Sequence, residues 1–121
     1  MNAYLSVYIY IGTGSNNSLH LYGPSGIVQD SNSKEFYIAD TYNYRIVTYP
    51  SGNVVAGGNG PGYTYNKLHT PISLFYDSLS KSYLIANSGG IQFFLQGQSE
   101  GKPIAGVNGI TGTDPIHLIN P

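Results

Sequence analysis

Cysteine is absent from this chain of 121 residues, and its absence removes disulfides, thiolate nucleophiles and sulfur metal sites together. It leaves the compartment open, because a chain without cysteine suits oxidising and reducing surroundings alike. Charge is scarce too. Asp, Glu, Lys and Arg make up 9% of the residues, and five basic against six acidic side chains leave a formal charge of −1. Such a surface carries no electrostatic footprint for nucleic acid or an anionic membrane. No apolar run approaches the roughly 18 residues of a membrane-spanning helix, so no membrane insertion is expected. The apolar stretch over residues 3–11 lacks a basic flank, is rich in tyrosine and runs into glycines, and so reads as a strand and not as a signal sequence. Serines and histidines are present, but no Gly-x-Ser-x-Gly elbow accompanies them, and hydrolase chemistry has no support.

What the chain does hold is 12 Tyr, 16 Gly and 40% hydrophobic residues. Aromatic strands broken by turns that need positive φ have this composition, and the length suits one domain or part of one. The sequence also repeats itself. DSNSKEFYIAD at residues 30–40 returns as DSLSKSYLIAN at residues 77–87, an offset of 47. At the same offset Leu21-Tyr-Gly-Pro24 matches Leu68-His-Thr-Pro71, and the chain reaches Leu118-Ile-Asn-Pro121 at its end. Downstream, Val55-Ala-Gly-Gly-Asn-Gly60 matches Ile104-Ala-Gly-Val-Asn-Gly109 at an offset of 49. Short apolar runs with such a period, and no 3.6-residue periodicity, indicate propeller blades. In the first unit, strands are expected near residues 26–29, 35–39, 45–49 and 53–56, with a turn at residues 30–34 and a tight turn at Pro50-Ser-Gly52.

The pattern Leu-x-x-Pro-x-Gly-Ile over residues 21–27, then Phe36-Tyr-Ile-Ala-Asp-Thr-Tyr-Asn-Tyr-Arg-Ile46 and Val55-Ala-Gly-Gly58, resembles the NHL repeat. That resemblance implies an all-β fold of four-stranded blades, usually about six around a channel. The present chain would supply about two to two and a half of them as an open, unclosed partial β-propeller. The expected organisation is the end of a preceding blade with its inter-blade loop at residues 1–20, an NHL-like blade at 21–67, a degenerate blade at 68–117 and the start of another at 118–121. The second unit departs from the pattern. Asn87-Ser-Gly-Gly-Ile91 replaces Asp40-Thr-Tyr-Asn-Tyr-Arg-Ile46, two residues shorter and without the Arg. A tight glycine turn is expected there.

A blade buries both faces against its neighbours, so two blades alone leave apolar faces open. The chain is therefore expected to be a piece of a longer propeller, or else to close a ring by self-association.

Asp40, Asn43 and Arg45 bring an acid, an amide and a guanidinium into one turn. Asp and Asn cap turn amides and Arg pairs with carboxylates, so a structural role is expected. Gly57-Gly-Asn-Gly-Pro-Gly62 lacks the Lys, the hydroxyl and the helix of a phosphate loop and reads as an inter-blade linker. His20, His69 and His117 each lie shortly before a unit's proline, and some NHL-type propellers are metal-dependent lyases. A channel metal held by these three is the alternative reading. A third reading, RNA binding on a basic face, is hard to build from five basic residues. The favoured expectation is a non-enzymatic scaffold without cofactor, binding a protein partner through Tyr22, Tyr42, Tyr44, Tyr63 and Tyr65 in loops and turns.

Overall fold

A computed structural model describes residues 10–11 and 20–106 of the chain. The expectations for residues 1–9, 12–19 and 107–121, His117 and the further blade start at 118–121 among them, lie outside the described residues. Among the described residues the fold is all-β. A two-residue strand β1 (Tyr10–Ile11) pairs in parallel with β2 (His20–Leu21), and two separate four-stranded sheets follow.

The first sheet runs in simple antiparallel order through β3 (Pro24–Gln29), β4 (Phe36–Asp40), β5 (Arg45–Tyr49) and β6 (Val54–Gly57). The second repeats the plan with β7 (Ser73–Asp77), β8 (Ser82–Asn87), β9 (Gly90–Leu95) and β10 (Lys102–Gly106). Neither sheet closes on itself or pairs with the other. The molecule is an open, partial β-propeller. No helix among the described residues is long and apolar enough to cross a membrane.

Local chemistry explains the strand ends. β3 begins earlier than expected, at Pro24. Proline is tolerated as the first residue of a strand, where a missing donor costs little, and a bulge follows between Pro24 and Gly26. Asp30 folds the next turn by accepting the Asn32 and Ser33 amides and the Ser33 hydroxyl, the last at 2.7 Å. Its copy, Asp77, accepts the Leu79 amide and the Ser80 hydroxyl at 2.8 Å. Lys34 and Lys81 close the two turns in the left-handed region, at φ 67° and 53°. The repeated aspartate, serine and lysine are thus one turn written twice. At residues 49–53 the chain reverses through a cis Tyr49–Pro50 bond and Gly52, whose amide donates to the Thr48 carbonyl at 3.0 Å.

One apolar core lies between the sheets. Tyr37, Ala39, Ile46 and Ala56 of the first meet Leu74, Tyr83, Ile85 and Phe94 of the second, with Leu68 of the linker among them. The inner strands approach closely at Gly26, where a Cβ would sit 3.2 Å from the Ile72 carbonyl and 3.3 Å from the Ser73 Cα. Polar bonds fix the spacing: Thr41 Oγ1 donates to the Pro71 carbonyl at 2.7 Å and Ser25 Oγ to the Ile72 carbonyl at 2.9 Å. A smaller cluster of Leu21, Ile38 and Val47 occupies the opposite face of the first sheet.

Candidate docking face

Antiparallel register places the β2–β3 turn, the β4–β5 connection, the β6–β7 linker and the β8–β9 turn at one end of the blades. Tyr22, Tyr42, Tyr44, Tyr63 and Tyr65 all belong to these segments, Tyr65 at the point where the linker reaches back to Gly101, beside Glu100 of the opposite end. The turns at the opposite end hold Asp30, Lys34, Glu35, Asp77, Lys81 and Glu100. Among the described loop residues, Tyr22, Tyr42, Tyr44 and Tyr63 stand at the first end and most of the charged side chains at the second.

The β4–β5 connection is built on Asp40, which is wholly buried. Its Oδ1 accepts the Tyr22 amide at 2.7 Å; its Oδ2 accepts Arg45 Nε at 2.8 Å and Asn43 Nδ2 at 3.0 Å. Arg45, 1% exposed, also donates from Nη2 to the His20 carbonyl at 2.8 Å. Two buried charges persist only when paired and hydrogen-bonded in this way. The carboxylate oxygens and the guanidinium are engaged in holding the turn.

The single 3₁₀ turn Thr41–Asn43 set up by this network ends with Tyr44 in the left-handed region at φ 55°. It throws Tyr42 outward, 55% exposed, against Tyr22, 41% exposed, with ring centroids 5.3 Å apart, edge to face. Gly23, at φ 62°, makes this possible, since a Cβ there would run into the Tyr42 ring.

A second aromatic group straddles the blades. His69 stacks on Tyr63 at 4.8 Å and lies 6.1 Å from Tyr44. Gly57, at φ 70° and against the Tyr44 carbonyl where no Cβ fits, starts the linker that carries Tyr63 there. Tyr65, 54% exposed, stands farther along the linker, its carbonyl accepting the Gly101 amide at 2.7 Å. The structure thus brings Tyr22 to Tyr42 and Tyr44 to Tyr63 through His69, and no ring contact joins Tyr65 to either group among the described residues. Among the described residues, Lys67 is the only charged residue in the exposed segments of this end.

His20 and His69 do not hold equivalent positions. In the repeat register His69 answers to Tyr22, because the amides of both bond the side chain that ends the second strand of their sheet. In the first sheet that side chain is Asp40. In the second it is Asn87, whose Oδ1 accepts the His69 and Thr70 amides, each at 3.0 Å. No group of three or more His, Asp or Glu fit to hold a metal exists among the described residues. Sequence reasoning missed both Asn87 and the stacking of His69. The offset of 47 relating Asp40 to Asn87 was the available signal for the first.

Residues 21–49 match the NHL repeat family, a span that covers the first sheet from the end of β2 through β5. No curated protein matches the chain.

Proposed function

We propose, with the NHL repeat at residues 21–49 as premise, that the chain is a non-enzymatic interaction scaffold. Its aromatic loop end, Tyr22, Tyr42, Tyr44, Tyr63 and Tyr65, takes a protein partner. NHL repeats form propeller-type domains that often mediate protein interaction, and the single observation that points to this end is the sorting of tyrosine and charge. Tyrosine buries large area at small entropic cost and keeps a polar tip, while charged residues are depleted in the centres of protein interfaces. The nearly neutral rim favours a protein over RNA, whose backbone would need exposed Lys and Arg, of which the described residues of this end offer only Lys67. The blades belong, in this reading, to a longer propeller of about six, further blades covering the face of the second sheet that is open here.

Replacing Tyr22 and Tyr42 together with serine tests the assignment. Proteins retained by the immobilised chain are expected to be lost from the double variant while its thermal unfolding stays that of the parent. Undiminished retention by the variant would remove the loop end from consideration.

A further inference from the structure

A second surface, independent of the aromatic loop end, carries its own chemistry. Between the outer strand β6 and the residue 96–99 segment below β9 runs a groove of about 600 Å³, with Tyr83 in its wall. β6 ends its sheet, and no strand among the described residues pairs with its outer edge. An unpaired edge offers a row of backbone donors and acceptors to any extended chain that reaches it. Because β6 is the outermost strand of its blade, this edge stays open whatever packs on the blade faces.

Two features of the groove define what would fill it. First, its lining carries no Asp, Glu, Lys, Arg or His: Asn59, Gln96, Gln98 and Ser99 supply its polar side chains. Tyr83 is its one titratable group, and burial pushes that phenol up to about 12, so it stays neutral. A charged occupant would find no counter-ion. Second, β6 spans four residues, so an extended segment of the same length, about 13 Å, could lie along it. Val54, 46% exposed, offers apolar contact at one end.

We propose that this groove binds an extended, uncharged peptide segment of a partner protein, which adds a strand to the free edge of β6. Main-chain pairing supplies affinity in such strand addition, and side-chain pockets supply selectivity. The amide-lined walls select Asn, Gln, Ser or Thr on the side facing residues 96–99. A neutral glycan would satisfy the same side chains, but it could not use the row of backbone groups along β6, and the edge is what favours peptide.

The test uses the full chain and a pool of hexapeptides of Val, Thr, Asn and Gln, capped at both ends. Saturable binding is expected, with amide hydrogen exchange across β6 slowed about tenfold. The same pool N-methylated on its backbone is expected not to bind. The Tyr22→Ser, Tyr42→Ser double variant is expected to bind the pool as the parent does, so this site and the loop end fail separately. The absence of saturable binding would overturn the proposal. So would equal binding of the N-methylated pool, protection confined to the loop end, or a neutral oligosaccharide that binds at β6 where peptides do not.

Discussion

The two blades share a plan, and their equivalent positions show what each can dispense with. Ile46 in the first blade is wholly buried, while Ile91, its counterpart in the second, is half-buried. Tyr37 and Ala39 are buried where Leu84 and Ala86 are half-exposed. The difference lies in what stands on that face, because the second blade covers it for the first and no described residue repeats the service for the second. At the β4–β5 connection the contrast is chemical. Asp40 needs Arg45 because a buried carboxylate requires a counter-charge; Asn87 accepts the equivalent backbone amide with a neutral oxygen, and the second blade has lost its Arg, two residues of turn and the outward Tyr42 with it. A neutral acceptor suffices to hold the turn, whereas the ion pair supports a longer connection that displays a tyrosine.

The largest effect expected from this contrast is at Arg45. Arg45→Ala leaves Asp40 buried without its counter-charge and should cost about 3–5 kcal/mol; Asn87→Ala, which strands the neutral His69 and Thr70 amides, should cost about 1–3 kcal/mol. Urea denaturation of the two variants measures both, and equal losses would break the distinction. Next come the faces. Ile46→Ala should cost about 2–5 kcal/mol, and Ile91→Ala clearly less, since its side chain is already half in water. A smaller effect of opposite sign is expected at Gln92, which answers to Val47. Gln92 is 1% exposed, and neither its Oε1 nor its Nε2 has a hydrogen-bond partner. Gln92→Val should raise stability by about 1 kcal/mol as it frees the buried amide.

Smallest is the acid response of the twin turns. Hydrogen bonds from Ser33 and Ser80 hydroxyls, then from backbone amides, hold the Asp30 and Asp77 carboxyls below the ordinary 3.8. Their folded values are depressed, so the stability they contribute is present above 3.8 and is lost as pH falls through the folded values. Ser33→Ala and Ser80→Ala should each flatten the loss seen below that pH in an acid titration of unfolding. A response to one serine and not the other would show that the turns differ in more than sequence.

Much of the fold was legible because the signals were local. Asp30, Ser33 and Lys34 act within one turn, and the alternation over residues 36–39 and 45–49 locates two strands without any knowledge of their neighbours. Grouping Asp40, Asn43 and Arg45 needed only residue chemistry at close spacing. What stayed hidden depends on residues far apart in the chain. The sequence places Tyr63 in a glycine linker but does not say that His69 will stack on it. Neither does it say that Thr41 and Ser25 will bond carbonyls at 71 and 72, which fixes how the blades meet. The matching of Tyr22 and His69 is present in the aligned Leu21-Tyr-Gly-Pro24 and Leu68-His-Thr-Pro71, but grouping the histidines by their distance from a proline pairs His69 with His20 and hides the amide that Tyr22 and His69 each offer to residue 40 or 87.

The aromatic face draws on both blades and their linker, so it exists only if they behave as one unit. Hydrogen exchange in an Ile85→Ala variant measures this directly, since Ile85 belongs to the second blade and is wholly buried in the shared core. Protection should fall by the same factor in β4 as in β8. Loss confined to β7, β8 and β9, with β4 and β5 as slow to exchange as in the parent, would contradict a single cooperative module.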